Sequence, residues 1–204
     1  MDPKSLIDHL KDKSCEIKIN IQDTKNYKEK ESQLNSLIDD INGISKKKKK
    51  EISEVLMPYF YSVGSKSSLR GIRFNKIVSS RIKNLIRRKS HITFETEKKH
   101  KLLFEKVDWV LYNKRTKKTL IGFNQIDLWG GGHQINRGSK YVLDTHLHQT
   151  LGRHKIKLVN VVLDAPKTLT VGTKKYNIVN TGVQKKRLFT LKTLSTIIRE
   201  FIDC

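Results

Sequence analysis

Apolar positions change their spacing several times along the chain, and each change marks an element. Leu34, Leu37, Ile38 and Ile41 recur at helical spacing, as do Ile52, Val55, Leu56, Tyr59 and Phe60, so two amphipathic helices are predicted to flank the run Lys46 to Lys50. Upstream, Ile17, Ile19 and Ile21 alternate across Glu16 to Gln22 as a short strand would. From Ser67, Leu69, Ile72, Val78, Ile82, Leu85 and Ile86 mark one helix face, while Arg70, Arg73, Lys76, Arg81, Lys83, Arg87 and Arg88 crowd the remainder. His91 to Glu97 then alternates with period two. Two further strand-like segments follow, Lys106 to Asn113 and Leu120 to Trp129, joined by the basic turn Lys114 to Lys118. Trp129 to Gly138 reads as a glycine-rich loop. Ser139 to Lys155 reads as a helix with Tyr141, Val142, Leu147 and Leu151 inward, and Lys157 to Leu163 as a buried strand stopped by Asp164, Ala165 and Pro166. Val171 to Asn180 predicts a short strand pair, and Leu191 to Ile202 a closing helix. The order predicts an α/β (α+β) fold, a mixed central β-sheet flanked by helices over residues 67–204, with a helical N-terminal region over residues 1–66.

A chain of 204 residues holds one substantial domain more comfortably than two. Lys and Arg total 42 against 20 Asp and Glu, a formal charge of +22 spread along the chain, and a polyanion is the simplest partner for it. A Lys-rich surface without function is the plain alternative. No apolar run approaches the ~18 residues of a membrane span, and the N-terminus lacks a signal peptide's apolar core, so a soluble, intracellular, cytoplasmic protein is expected, with no membrane partner. Cys15 and Cys204 form neither a disulfide framework nor a zinc pattern. The lysine run is either a DNA-backbone or localisation patch or simply a solvated loop or helix end.

Candidate chemistry concentrates between Lys106 and Tyr141. If the two strands pair about the basic turn, Asp108 lies opposite Asn124 and Gln125. Gln125 and Asp127, two residues apart, would project from one strand face. Asp108, Gln125 and Asp127 thereby form a seat of oxygen ligands for a divalent cation, to which the Ile126 carbonyl and Glu95 or Glu97 from the neighbouring strand could add. The competing reading makes Asp108 and Asp127 strand-end acids facing solvent or surface arginines. The following loop carries three consecutive glycines, which allow close backbone approach to a phosphate, together with His133, Gln134, Asn136, Arg137 and, just beyond, Lys140. Arg, Asn and Gln are suited to reading base edges. A tight turn held by its own polar side chains is the alternative. His146 and His148 point apart on a helix, which leaves His133 as the histidine to consider as a general base.

The element order, with an Asp early in the second strand and the Gln125-Ile126-Asp127 segment late in the third, resembles the PD-(D/E)xK, or restriction-endonuclease-like, nuclease superfamily, and type II restriction enzymes in particular. The resemblance covers Ser67 to Leu163. It implies that Asp108 and Gln125 bind Mg²⁺ and that Asp127 stands in the position usually held by a lysine; Gln125 replaces an acid there. The lysine's task would then fall to Lys106 or Lys140. The expectation is a Mg²⁺-dependent endonuclease hydrolysing double-stranded DNA at a defined sequence as a homodimer, with Asp108, Gln125 and Asp127 catalytic and metal-binding. Arg70, Arg73, Arg81, His133, Gln134, Asn136, Arg137 and Lys140 are the expected DNA contacts. The rival is a non-catalytic basic nucleic-acid-binding protein, for which charge alone suffices.

Overall fold

A computed structural model describes residues 1–12, 17, 19–24, 26–60 and 63–203. Two compact units result: Met1–Glu16 together with Phe74–Cys204, and Ile17–Arg73. The boundary expected at 66/67 instead falls inside a helix, and the first helix belongs with the sheet. None of the described helices is long and apolar enough to cross a membrane.

The smaller unit contains α2 (Tyr27–Asp39) and α3 (Lys46–Phe60). Leu34, Ile38 and Met57 are its buried centre, with Tyr27 and Ile52 packed at the margin. The apolar stripe is narrower than the periodicity predicts, for Leu37 is 60% and Tyr59 83% exposed. The lysine run forms the first turns of α3 rather than a loop between helices. Lys49 donates to the Asp39 carbonyl at 2.8 Å, where the last carbonyls of α2 lack helical acceptors' usual partners. Ile21–Asp23 form a 3₁₀ turn. The strand expected over Glu16 to Gln22 falls partly outside the described residues, as do Cys15 and Cys204.

In the larger unit, α1 (Pro3–Leu10) starts with Asp2 accepting from the Ser5 amide at 3.0 Å. The helix α4 (Val63–Ile86) reaches into this unit from Phe74 and buries Phe74, Val78 and Ile82, whereas Ile72 is exposed. Five strands follow, β1 (Ile92–His100), β2 (Glu105–Asn113), β3 (Lys118–Gln125), β4 (Ile156–Val162) and β5 (Leu188–Phe189), arranged in that spatial order. β1, β2 and β3 pair antiparallel, while β3 with β4 and β4 with β5 are parallel, so the sheet is mixed and flanked by helices as expected. The turn between β2 and β3 is held by Asn113, whose side-chain oxygen accepts from the Arg115 and Thr116 amides.

A parallel β3–β4 pair needs a crossover. It consists of α5 (Gly132–Gly138), a π-helical turn (Ser139–Leu143) and α6 (Thr145–Arg153). Two expectations are corrected here: the glycine-rich stretch is helical from Gly132, and the single helix expected from Ser139 breaks at Asp144, which caps α6 through the Leu147 amide at 2.9 Å. Val110, Ile121, Phe123, Tyr141, Leu151 and Leu158 form one core cluster between sheet and crossover. The strand pair expected over Val171 to Asn180 is instead α7 (Lys174–Gln184), capped by Thr173, with Ile178, Val179 and Gly182 buried. The helix α8 (Leu191–Asp203) closes the chain as predicted.

Gly122 in β3 lies directly beneath the Trp109 indole, where a side chain would overlap the ring. Gly122→Ala should therefore cost about 1–3 kcal/mol through overpacking. Urea unfolding followed by tryptophan fluorescence measures this; an unchanged midpoint would mean that the indole does not lie on Gly122.

Candidate active site

The site begins where β2 and β3 stop pairing. Their register ends at Trp109 opposite Gly122. Beyond it, the Asn124 amide donates to Asp108 Oδ2 at 2.7 Å, so a carboxylate replaces a ladder carbonyl. Asp108 Oδ1 accepts from Asn75 Nδ2 of α4 at 3.3 Å. The Trp109 Nε1–H donates to Asn124 Oδ1 at 3.0 Å and fixes the other side of the parting. On the outer strand, Glu97 falls between the pairs Thr96–Trp109 and Lys98–Val107, abreast of Asp108. Its φ of 52° is a left-handed conformation that costs a non-glycine residue on the order of 1–3 kcal/mol.

β3 continues alongside β4 to Gln125, which is buried and pairs with Val162. Gln125 Oε1 accepts from Arg137 Nη1 at 3.1 Å. The strand ends there, not at Trp129, so the expected alternation of Gln125 and Asp127 on one strand face does not occur. Asp127 instead closes a turn: its Oδ1 accepts from the Trp129 amide at 3.1 Å and the Gly130 amide at 2.6 Å. A Cβ at Gly130 would come within 2.8 Å of that oxygen, which is why glycine stands there. The Ile126 carbonyl accepts from the Asp164 amide at 2.8 Å, so it too has a structural partner rather than the ligand role expected of it.

Arg137 comes from α5, which is held tightly because a Cβ at Gly138 would lie 2.7 Å from Ile178 Cδ1 and 2.8 Å from the Leu128 carbonyl. The following π-helical turn frees carbonyls that side chains then receive. Arg187 donates to the Val142 carbonyl at 2.6 Å, and Asn160 Nδ2 and His148 Nε2 lie 3.4 and 3.0 Å from the Tyr141 carbonyl. Tyr141 is thereby set over β3, its ring 4.4 Å from that of Phe123. Lys140 Nζ lies 2.7 Å from Glu105 Oε1 and 5.1 Å from the Tyr141 ring centre.

Charges in this group are strongly interdependent. Burial raises the Asp108 pKa above the ordinary aspartate value, although the Asn124 amide, Arg137 and Asn75 all oppose the rise; Glu97 adds to it by repulsion. Burial also pushes Glu105 upward, but hydrogen bonds with Lys140 and Tyr141 and the charges of Lys140 and Arg137 outweigh it, so its pKa is lowered. Burial and Glu105 raise the Tyr141 phenol.

No family model, curated protein or solved structure matches the chain. The site's chemistry is therefore read from its own residues.

Arg137 bonds Gln125 and its charge acts on Asp108, whereas Asp127 serves the turn after β3. Among the described residues no three carboxylate, imidazole or thiol groups gather as a metal cluster. Asp108 and Glu97, abreast on β2 and β1, carry oxygens of the kind Mg²⁺ accepts, since that ion commonly takes one or two carboxylates and keeps several waters, while Gln125 Oε1 is engaged by Arg137. Asp108 in particular is a partly desolvated carboxylate that a cation would stabilise. Glu95 is drawn to Lys98 at 2.6 Å instead. Of the expected DNA contacts, His133, Asn136 and Lys140 are exposed on the crossover and Gln134 half-buried, and Arg81 is exposed on α4. Arg70 and Arg73 belong to the other unit, where Arg73 pairs with Asp23 at 2.9 Å. Asn75, Glu105 and Tyr141 were not predicted for the site; Asn75 carries a visible signal, being a polar residue on the helix face of Val78 and Ile82.

The raised Asp108 pKa fixes a sign. The folded state binds this proton more tightly than the unfolded chain, so Asp108 lowers stability as pH rises from about 3.9, the unfolded value, through the folded one. Asp108→Asn, which keeps an acceptor for the Asn124 amide, should therefore gain stability relative to wild type over that rise. Urea midpoints of both proteins at several pH values measure it; a difference independent of pH would contradict the burial of this carboxylate.

Proposed function

We propose that the protein is a Mg²⁺-dependent endonuclease of double-stranded DNA, with a restriction-endonuclease-like core. The observation that carries the reading is Asp108, a half-buried carboxylate at the parting of β2 and β3 on which the charge of Arg137 acts, with Arg137 itself bonded to Gln125 at the carboxyl end of β3. That end of a parallel strand pair is where α/β sheets ordinarily receive ligands. A bound Mg²⁺ would supply an activated water and neutralise charge developing on the scissile phosphate.

Asp108 and Gln125, with Glu97, are the residues to hold the ion. Asp127 takes the positioning part, shaping the turn from which α5 presents its polar side chains. Arg137 and Lys140 are suited to phosphate, Arg137 through its planar fork, and His133, Gln134 and Asn136 to the groove. Arg81 supplies a phosphate contact on α4. Cutting both strands at a short defined sequence calls for two equivalent sites, hence a homodimer. The charge of +22 equally favours a non-catalytic nucleic-acid-binding protein.

Plasmid incubated with and without Mg²⁺ separates the two. Discrete metal-dependent fragments are expected, whereas a mobility shift with intact DNA would support the binding protein. Asp108→Asn should reduce cleavage by on the order of 100-fold or more while leaving duplex affinity in the absence of metal nearly unchanged. Wild-type rates in that variant would remove Asp108 from the chemistry. For Arg81→Ala, the slope of log affinity against log salt should become shallower by about 0.9, one phosphate's share; an unaltered slope would take this face of α4 out of the interface.

A further inference from the structure

Gln125 Oε1 cannot serve Arg137 and a divalent cation with equal ease. Gln125 as a residue is only 7% exposed, and the partner of its Oε1 is Arg137 Nη1 at 3.1 Å. A guanidinium at this place also attracts Asp108 and Glu105. Its positive charge therefore acts on the same oxygens that would hold a metal. Lys140 pairs with Glu105 at 2.7 Å, while Arg137 bonds Gln125 and its charge acts on Asp108.

We propose that Arg137 is an internal counter-cation which keeps divalent metal out of the site until a DNA phosphate draws its side chain away. The inference rests on the nuclease reading above and deepens it: metal loading becomes conditional on substrate. Removing the guanidinium alone would leave a buried carbonyl oxygen without a donor, an unfavourable state. A cation arriving at Asp108 and Gln125 relieves that state, but only once the like charge has gone. Phosphate offers Arg137 a better partner than an amide oxygen, because two parallel N–H bonds to an anion replace one to a neutral acceptor. The backbone need not move. α5 is fixed through Gly138 against Leu128 and Ile178, so a change of side-chain rotamer suffices. Linkage then requires reciprocity: if duplex strengthens metal binding, metal strengthens duplex binding by the same factor.

The test is Mn²⁺ titration, with free ion read by electron paramagnetic resonance, on wild type, Arg137→Met and Asp108→Asn. Each is measured alone and with a phosphorothioate duplex that resists hydrolysis, and Mn²⁺ held by the duplex itself is subtracted. Expected is a class of Mn²⁺ binding lost in Asp108→Asn, tightened about fivefold or more by Arg137→Met. Duplex should tighten it by a similar factor in wild type and by much less in Arg137→Met. Asp108-dependent Mn²⁺ binding that Arg137→Met leaves unchanged or weakens, or that duplex does not tighten in wild type, overturns the role of Arg137 and leaves the nuclease reading standing. Absence of any Asp108-dependent Mn²⁺ binding, with or without duplex, overturns both. Should Arg137→Met fail to fold, the wild-type response to duplex decides alone.

Discussion

A single hydrogen bond, from the Asn124 amide to the Asp108 carboxylate, sets the geometry of everything at the open end of the sheet. It ends the β2–β3 ladder while leaving β3 free to continue beside β4 as far as Gln125. Partial burial shields this bond from competition by water. The burial that makes the bond effective also makes the charge costly. Asn75, Arg137 and the strained Glu97 opposite are the local consequences. A carboxylate held in this balance responds to any charge that approaches.

The crossover supplies the opposing charge, and its irregularities serve that purpose. An uninterrupted helix from Gly132 to Arg153 would leave no freed carbonyls near Tyr141. The π-helical turn and the break at Asp144 release them, and Asn160, His148 and Arg187 receive them. Tyr141 is thereby pinned on Phe123, while Arg137 in α5 and Lys140 in the π-helical turn face Gln125 and Glu105. Packing at Gly138 removes slack from the same segment. A rigid helix thus carries a long, jointed side chain, an arrangement that allows charge to move without moving the fold.

Much of this architecture was legible in the sequence from its apolar patterning. The α4 face of Val78 and Ile82, the strands around Asp108 and Leu158, and the closing helix through Leu194 and Ile198 all follow their apolar spacing. Errors arose where apolar residues serve a different cluster from their neighbours. Leu128 and Trp129 made β3 look longer, but they pack with Leu6, Leu10, Val162 and Ile178, beyond the strand's end. That misreading placed Asp127 on a strand face, whereas it is a turn-closing side chain. In Val171 to Asn180, β-branched residues suggested strands; Thr173 as a cap and the spacing of Ile178, Val179 and Gly182 make a helix. The pairing of Arg137 with Gln125 joins two elements across the sheet end and has no local signature at all. Lys49 illustrates the converse, a residue from a run that suggested polyanion binding but which completes the end of α2.

The structure of the protein with a DNA duplex and Ca²⁺, which occupies Mg²⁺ sites without supporting catalysis in many nucleases, tests the central claim most directly. The account predicts a cation held by oxygens of Asp108 and Gln125, a backbone phosphate beside it, and the Arg137 guanidinium on phosphate rather than on Gln125. A duplex seated elsewhere, with Asp108 still enclosed by Asn124 and Asn75 and Arg137 still on Gln125, would contradict it and leave a basic binding protein.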